Sequence, residues 1–109
     1  MTTYAERALD ALGDPTRRAV FKRLQAGTLS VNEIAHGLGV TRPAVSQHLK
    51  ILKSARLVID RPEGTRRLYA IDSRGVGELR HWLDGFWDKT LAAFKQAAEH
   101  EAREERKRR

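Results

Sequence analysis

The 109-residue chain is long enough for one domain with a modest core, and with 32% charged and 6% aromatic residues that core has to be aliphatic. Its 21 Lys and Arg against 14 Asp and Glu leave a net charge of +7, which points to a polyanionic partner: nucleic acid first, an anionic membrane surface as the rival. The absence of cysteine excludes disulfides, thiol switches and thiolate metal sites; with no apolar run approaching the roughly 18 residues of a membrane span, and no apolar signal-peptide core near Tyr4, a cytoplasmic protein with no membrane partner is expected.

Residues 4–12 form a short amphipathic segment with Ala5, Ala8, Leu9 and Leu12 on one side. Asp14-Pro15 starts a second helix, with Asp14 as N-cap and Pro15 at the first helical position, where a missing N–H costs nothing. Ala19, Val20 and Leu24 supply its apolar stripe and Gly27 stops it. Arg17, Arg18, Lys22 and Arg23 lie opposite, either as a solvated face or as a contact to a DNA backbone.

Ser30-Val31-Asn32-Glu33 is a capping box that opens a third helix running to about Gly37. Thr41 caps a fourth, with Pro43 tolerated in its first turn, which continues to about Ala55. Leu57 to Arg61 and Arg66 to Ile71 read as two strands around the turn Pro62-Glu63-Gly64-Thr65. Asp72 or Ser73 caps a long last helix, over about 73–100, whose apolar residues from Leu79 to Ala98 are spaced by three and four. The charged tail 101–109 is expected to fray.

The third and fourth helices make a helix-turn-helix: Ala35 is small where they cross, Gly39 permits the turn, and Ile34 and Val45 pack beneath. The following hairpin turns this into a winged helix, so the expected fold is mostly α, with five helices and a two-stranded wing. With Val45, Leu49 and Leu52 facing the core, the fourth helix presents Arg42, Pro43, Ser46, Gln47 and Lys50 on its free face, with Thr41 and Ala44 near its N-terminal end. An N-terminal end in the major groove would let Arg42 pair with guanine and Gln47 with adenine. Ser46 and His48 would contact phosphate, although a surface histidine bonding backbone or solvent fits His48 equally well. Arg61, Arg66 and Arg67 flank the hairpin tip, placed either along a minor groove or as guards of exposed strand edges. Seven basic residues against two acidic between Arg42 and Arg67 favour DNA.

These residues resemble the ArsR/SmtB family of bacterial winged-helix repressors. The likeness rests on Ala11-Leu12-Gly13-Asp14-Pro15-Thr16-Arg17-Arg18, Leu29-Ser30-Val31-Asn32-Glu33-Ile34-Ala35 and Val45-Ser46-Gln47-His48-Leu49-Lys50-Ile51-Leu52, and extends through Leu57-Val58 and Arg66-Arg67-Leu68-Tyr69. It implies a homodimer on an inverted-repeat operator in double-stranded DNA, near the protein's own promoter or an adjacent operon. It also implies an interface made by the first and last helices. The aromatic surplus of the last helix agrees with that, and Leu9, Leu79, Trp82, Leu83, Phe86 and Leu91 are the expected interface residues.

Three departures from the family pattern stand out. The cysteine pair through which many members sense metal is missing from Leu29 to Asn32. The other zinc pattern of the family, on the last helix, is not reproduced either: His81 and His100 stand nineteen residues apart, with Asp84 and Glu101 as the nearest carboxylate companions. No metal and no cofactor is therefore expected, which resembles the cysteine-free branch and leaves room for a small-molecule inducer of unknown chemistry. Finally, Arg56 occupies a place where the family usually has glycine, so it is expected in a left-handed conformation, compensated by the helix C-terminus or by a phosphate. The competing readings are a winged helix used as a protein-interaction module and a metal-responsive repressor. An enzyme is not expected, since there is no cysteine nucleophile, glycine-rich phosphate loop or His-Asp-Ser arrangement.

Overall fold

A computed structural model describes residues 3–108, which form two compact units divided between Leu79 and Arg80. The elements are α1 (Tyr4–Ala11), α2 (Pro15–Arg23), β1 (Leu29–Ser30), α3 (Val31–Leu38), α4 (Arg42–Ser54), β2 (Val58–Glu63), β3 (Arg66–Ile71) and α5 (Ser73–Lys107), with a 3-10 turn over Leu24–Ala26.

The helix starts follow the capping chemistry. Thr3 and Glu6 form a capping box on α1, and Ser30 and Glu33 form another on α3; Asp14 accepts the Arg17 N–H on α2, and Thr41 accepts the Ala44 N–H on α4. Asp72, not Ser73, opens α5, its Oδ1 accepting the N–H groups of Arg74 and Gly75 at 3.1 Å each. Gly39 takes φ 64° after α3, the left-handed turn that glycine permits.

The core of the first unit is built from Val20, Leu24, Ile34, Val45, Leu49, Leu52, Leu57 and Val58, all essentially sealed from solvent. The buried face of α1 is alanine (Ala5, Ala8 and Ala11), while Leu9 stays 38% exposed.

The sheet has three strands in the order β1-β3-β2, not the two of a simple wing. Leu29 and Ser30 pair antiparallel with Tyr69 and Leu68, a long-range match that takes up the free edge of β3. The hairpin turn is also tighter than expected. Glu63 pairs with Arg66, leaving only Gly64 and Thr65 in the turn, and Pro62 sits inside β2, where an edge strand tolerates its missing donor.

Arg56 is the one non-glycine residue with positive φ among those described, at 60°. Its compensation is internal. The guanidinium forks onto both carboxylate oxygens of Glu78 at 3.0 Å and lies 4.8 Å over the Tyr4 ring. The Tyr4 hydroxyl donates to the Gly75 carbonyl, and a Cβ at Gly75 would fall 1.7 Å from the Arg56 carbonyl oxygen. Tyr4, Arg56 and Gly75 thus fasten the end of α4 to the first turn of α5.

In the second unit α5 continues regularly to Lys107, where charged composition predicted fraying from about residue 101. Local pairing supports it: Lys107 lies 3.6 Å from Glu104, and Arg106 donates to the Ala102 carbonyl at 3.4 Å. No helix among the described residues is long and apolar enough to cross a membrane.

Candidate nucleic-acid interface

The amphipathic pattern of α4 decides which side chains are available. Val45, Leu49 and Leu52 are sealed in the core, so Arg42, Pro43, Ser46, Gln47 and Lys50 are turned outward and exposed. Thr41 is exposed too, although its hydroxyl oxygen already accepts the Ala44 N–H at 3.3 Å, and Ala44 is half-buried. Arg42 and Lys50 have no ion-pair partner among the described residues, which leaves both charges free for an external anion.

His48 departs from this face. It is half-buried, its Nδ1 is sealed from solvent without a hydrogen-bond partner, and its charge would be felt by Asp14 at the start of α2. His48 is thus less open than the other outward residues of α4.

Residues Asn32 and Glu33 of α3, Arg42 of α4, and Thr65, Arg66 and Arg67 of the wing line a cleft of about 540 Å³. Three guanidinium groups around one concavity make it a strong anion-attracting feature of the first unit. The wing arginines are not equivalent, however. Arg61 reaches Glu63 at 3.7 Å, and Arg66 is shared between Glu33 at 3.6 Å and Glu63 at 3.5 Å, all through half-exposed groups. Such solvated pairs contribute about 0–1 kcal/mol and yield readily to a phosphate. Arg67 instead donates its Nε–H to Asp60 at 2.6 Å, and that carboxylate is only 7% exposed. Lys53, in the last turn of α4, reaches the other oxygen at 2.8 Å. These two cations hold the Asp60 carboxyl below the usual carboxylate range, Arg67 first and Lys53 second. Arg67 thus differs from Arg61 and Arg66 in that its guanidinium is already held by a nearly buried carboxylate.

On the basic face of α2, Lys22 stays exposed, while the three arginines make contacts within the chain. Arg17 and Arg18 donate to the carbonyls of Ala11 and Leu12 at 3.1 Å each, satisfying the otherwise unpaired C-terminal end of α1. The Arg23 guanidinium lies across Gly37 of α3, so close that a Cβ there would meet its Nε at 2.3 Å. Lys53 and Asp60 were missed from sequence. The one available signal was an acidic residue alone in an otherwise apolar and basic stretch, Leu57 to Arg61.

In the second unit the apolar stripe of α5 is exposed. Trp82 and Phe86 stack with centroids 5.5 Å apart, and Trp87 meets Phe86 edge-on at 5.5 Å. Exposure rises along the helix from 36% at Trp82 to 61% at Leu91 and 73% at Phe94, with Leu83 half-buried. Leu79, expected in the same interface, is only 7% exposed and belongs to the core of its own chain. No three His, Asp or Glu side chains converge as a metal-ligating group among the described residues.

A helix-turn-helix with a three-stranded wing and an outward basic helix face defines a winged-helix DNA-binding domain. The Helix-turn-helix domain profile matches residues 12–61. The chain is 53% identical over 103 residues to the HTH-type transcriptional regulator Rv2034 of Mycobacterium tuberculosis, covering 93% of this chain and 96% of that one. Among solved structures it is similar to an ArsR-like transcriptional regulator from Rhodococcus sp. RHA1, with 28% identity, TM-score 0.73, and coverage of 87% of this chain and 92% of that one. It also resembles the homodimeric winged helix-turn-helix DNA-binding domain Mb0332 from Mycobacterium bovis, with 32% identity, TM-score 0.65, and coverage of 81% and 82%. The chain belongs to the ArsR/SmtB family of winged helix-turn-helix transcriptional regulators, a family of DNA-binding proteins and not of enzymes.

Proposed function

We propose that this regulator is a homodimeric repressor that binds an inverted-repeat operator in double-stranded DNA, at its own or an adjacent operon. The observation that carries the reading is the divided face of α4: three sealed leucine and valine anchors behind, and Arg42, Ser46, Gln47 and Lys50 free in front. Set N-terminal end first into a major groove, Arg42 and Gln47 reach base edges, and each bidentate contact discriminates by about 1–3 kcal/mol. Thr41, Ser46 and Lys50 contact phosphate and fix the register, with Pro43 and Ala44 leaving room for close approach. Arg61 and Arg66 exchange their solvated carboxylate partners for the backbone or a narrow minor groove.

The second copy covers apolar surface that water otherwise meets: Trp82, Leu83, Phe86 and Leu91 on one unit and Leu9 on the other. The named homodimeric relative from Mycobacterium bovis supports this assembly. A ligand other than a metal is the preferred inducer class, since the chain has no cysteine to serve as a thiolate ligand.

The test is an electrophoretic shift with the duplex upstream of the chain's own gene, titrated against salt. A specific complex is expected whose log affinity falls by about 0.9 per log salt for each phosphate neutralised. Absence of any salt-dependent complex would overturn the proposal and leave the fold to a protein-interaction role.

A further inference from the structure

Among the described residues one nearly buried carboxylate takes two cations from elements other than its own. Asp60 of β2 receives Lys53 from the end of α4 at 2.8 Å and Arg67 from β3 at 2.6 Å, while its own side chain is only 7% exposed. Both cations remain half in solvent, at 53% and 51%, so the fold does not need Asp60 to keep them from being stranded. Arg67 also lines the cleft beside Arg42, whose charge is unengaged.

We propose that Asp60 is an internal competitor for DNA phosphate: by occupying Lys53 and Arg67, it sets the sequence-independent affinity of the regulator. This inference rests on the DNA-binding reading of the preceding subsection. The physical argument is one of competition. A lysine or arginine near a duplex gains affinity by displacing a counterion from phosphate, whatever the base sequence. A cation already bonded to a fixed, partly desolvated carboxylate has no counterion to release and would have to break a short charge-assisted bond first. Arg61 and Arg66, bonded only through exposed groups at 3.5 Å or more, face no such barrier. The wing therefore carries two kinds of arginine, available and withheld, and Asp60 makes the difference. Because sequence-independent contacts raise affinity for every competing site in a genome, withholding them keeps the regulator from being titrated away from its operator.

Asp60→Asn keeps the shape and removes the competing charge. The full-length chain and its variants would be measured by fluorescence anisotropy on one random-sequence duplex over a range of salt. In Asp60→Asn each released cation should steepen the log–log salt slope by about 0.9 and tighten binding about fivefold near 0.15 M salt. Adding Arg67→Ala to Asp60→Asn should cancel one such increment, and Asp60→Glu should restore the wild-type slope. Arg67→Ala alone should leave the wild-type slope unchanged, which keeps the idea testable even where Asp60→Asn folds poorly.

An unchanged slope in a folded Asp60→Asn variant, or a slope lowered by about 0.9 in Arg67→Ala alone, would overturn the proposal and reduce Asp60 to a structural tie. The two readings fail separately. A wild-type chain that binds no duplex defeats the DNA-binding function itself, whereas a binding wild type with an unmoved Asp60→Asn slope defeats only the competition.

Discussion

Helix α4 and the second-unit stretch of α5 are both amphipathic, yet they leave their apolar residues in opposite conditions. In α4 the anchors Val45, Leu49 and Leu52 are sealed by the chain's own α2, α3 and β2, and only polar groups remain outside. In α5 beyond Leu79 the larger apolar residues Trp82, Phe86, Trp87, Leu91 and Phe94 are all exposed. Sequence periodicity is the same in both cases, because a stripe records that a face will be covered and not by what. The first stripe is covered within the chain; the second is left exposed to solvent.

Substitutions separate these two conditions. The biggest loss belongs to the sealed stripe: Leu49→Ala or Leu52→Ala should cost about 2–5 kcal/mol, seen as a large drop in thermal midpoint with loss of DNA binding. The same truncation on the open stripe should act on assembly. Trp82→Ala combined with Phe86→Ala should leave the helical circular dichroism intact while weakening the dimer by roughly 30-fold or more in sedimentation, as expected for aromatic anchors. A dimer undisturbed by that pair would assign the aromatics to the chain's own packing.

On the free side of α4, Arg42→Ala or Gln47→Ala should reduce base discrimination by about 1–3 kcal/mol, with the thermal midpoint unmoved; selection of duplexes from a randomised pool would show one position relaxing. Unchanged selectivity would remove these residues from base reading. The smallest effect is expected at the end of α4. Arg56→Gly removes a left-handed strain of about 1–2 kcal/mol but also an ion pair between two half-exposed groups worth about 0–1 kcal/mol, so stability should rise by about 0–2 kcal/mol in denaturant titration. A clear fall would mean that the stacking on Tyr4 and the hold on Glu78 outweigh the strain.

What could be read ahead of the structure was local. Asp14-Pro15, Ser30 with Glu33, and Thr41 each place a hydrogen-bond acceptor three residues before a free N–H, so the starts of α2, α3 and α4 follow from neighbouring letters alone. Gly39 announced a left-handed corner in the same way through its lack of a side chain, whereas at Arg56 the expectation came from the family resemblance.

What stayed hidden was settled at long range. Strand β1 is two residues long and exists only because Tyr69 and Leu68 arrive beside it. Arg17 and Arg18 read as a solvated face or a DNA-backbone contact because nothing in their neighbourhood shows that the carbonyls of Ala11 and Leu12 lie within reach. His48 shares a helix with outward residues, yet its Nδ1 is sealed from solvent, which its position in the sequence does not reveal. The Asp60 cluster joins residues from α4, β2 and β3, and no spacing rule within one element could have assembled it.

Two glycines in the opening turns of α5 carry opposite obligations for the history of this sequence. At Gly75 the Arg56 carbonyl oxygen occupies the space of any side chain, backbone against backbone, with no flexible atom to give way. Two residues on, Gly77 faces open space. In a saturation library, position 75 should therefore admit a single letter. Position 77 should admit almost any, and alanine there should raise stability by about 0.5–1 kcal/mol. The same residue type is irreplaceable at one site and a dispensable weakness at the next, so the freedom of this helix to evolve begins at its second turn.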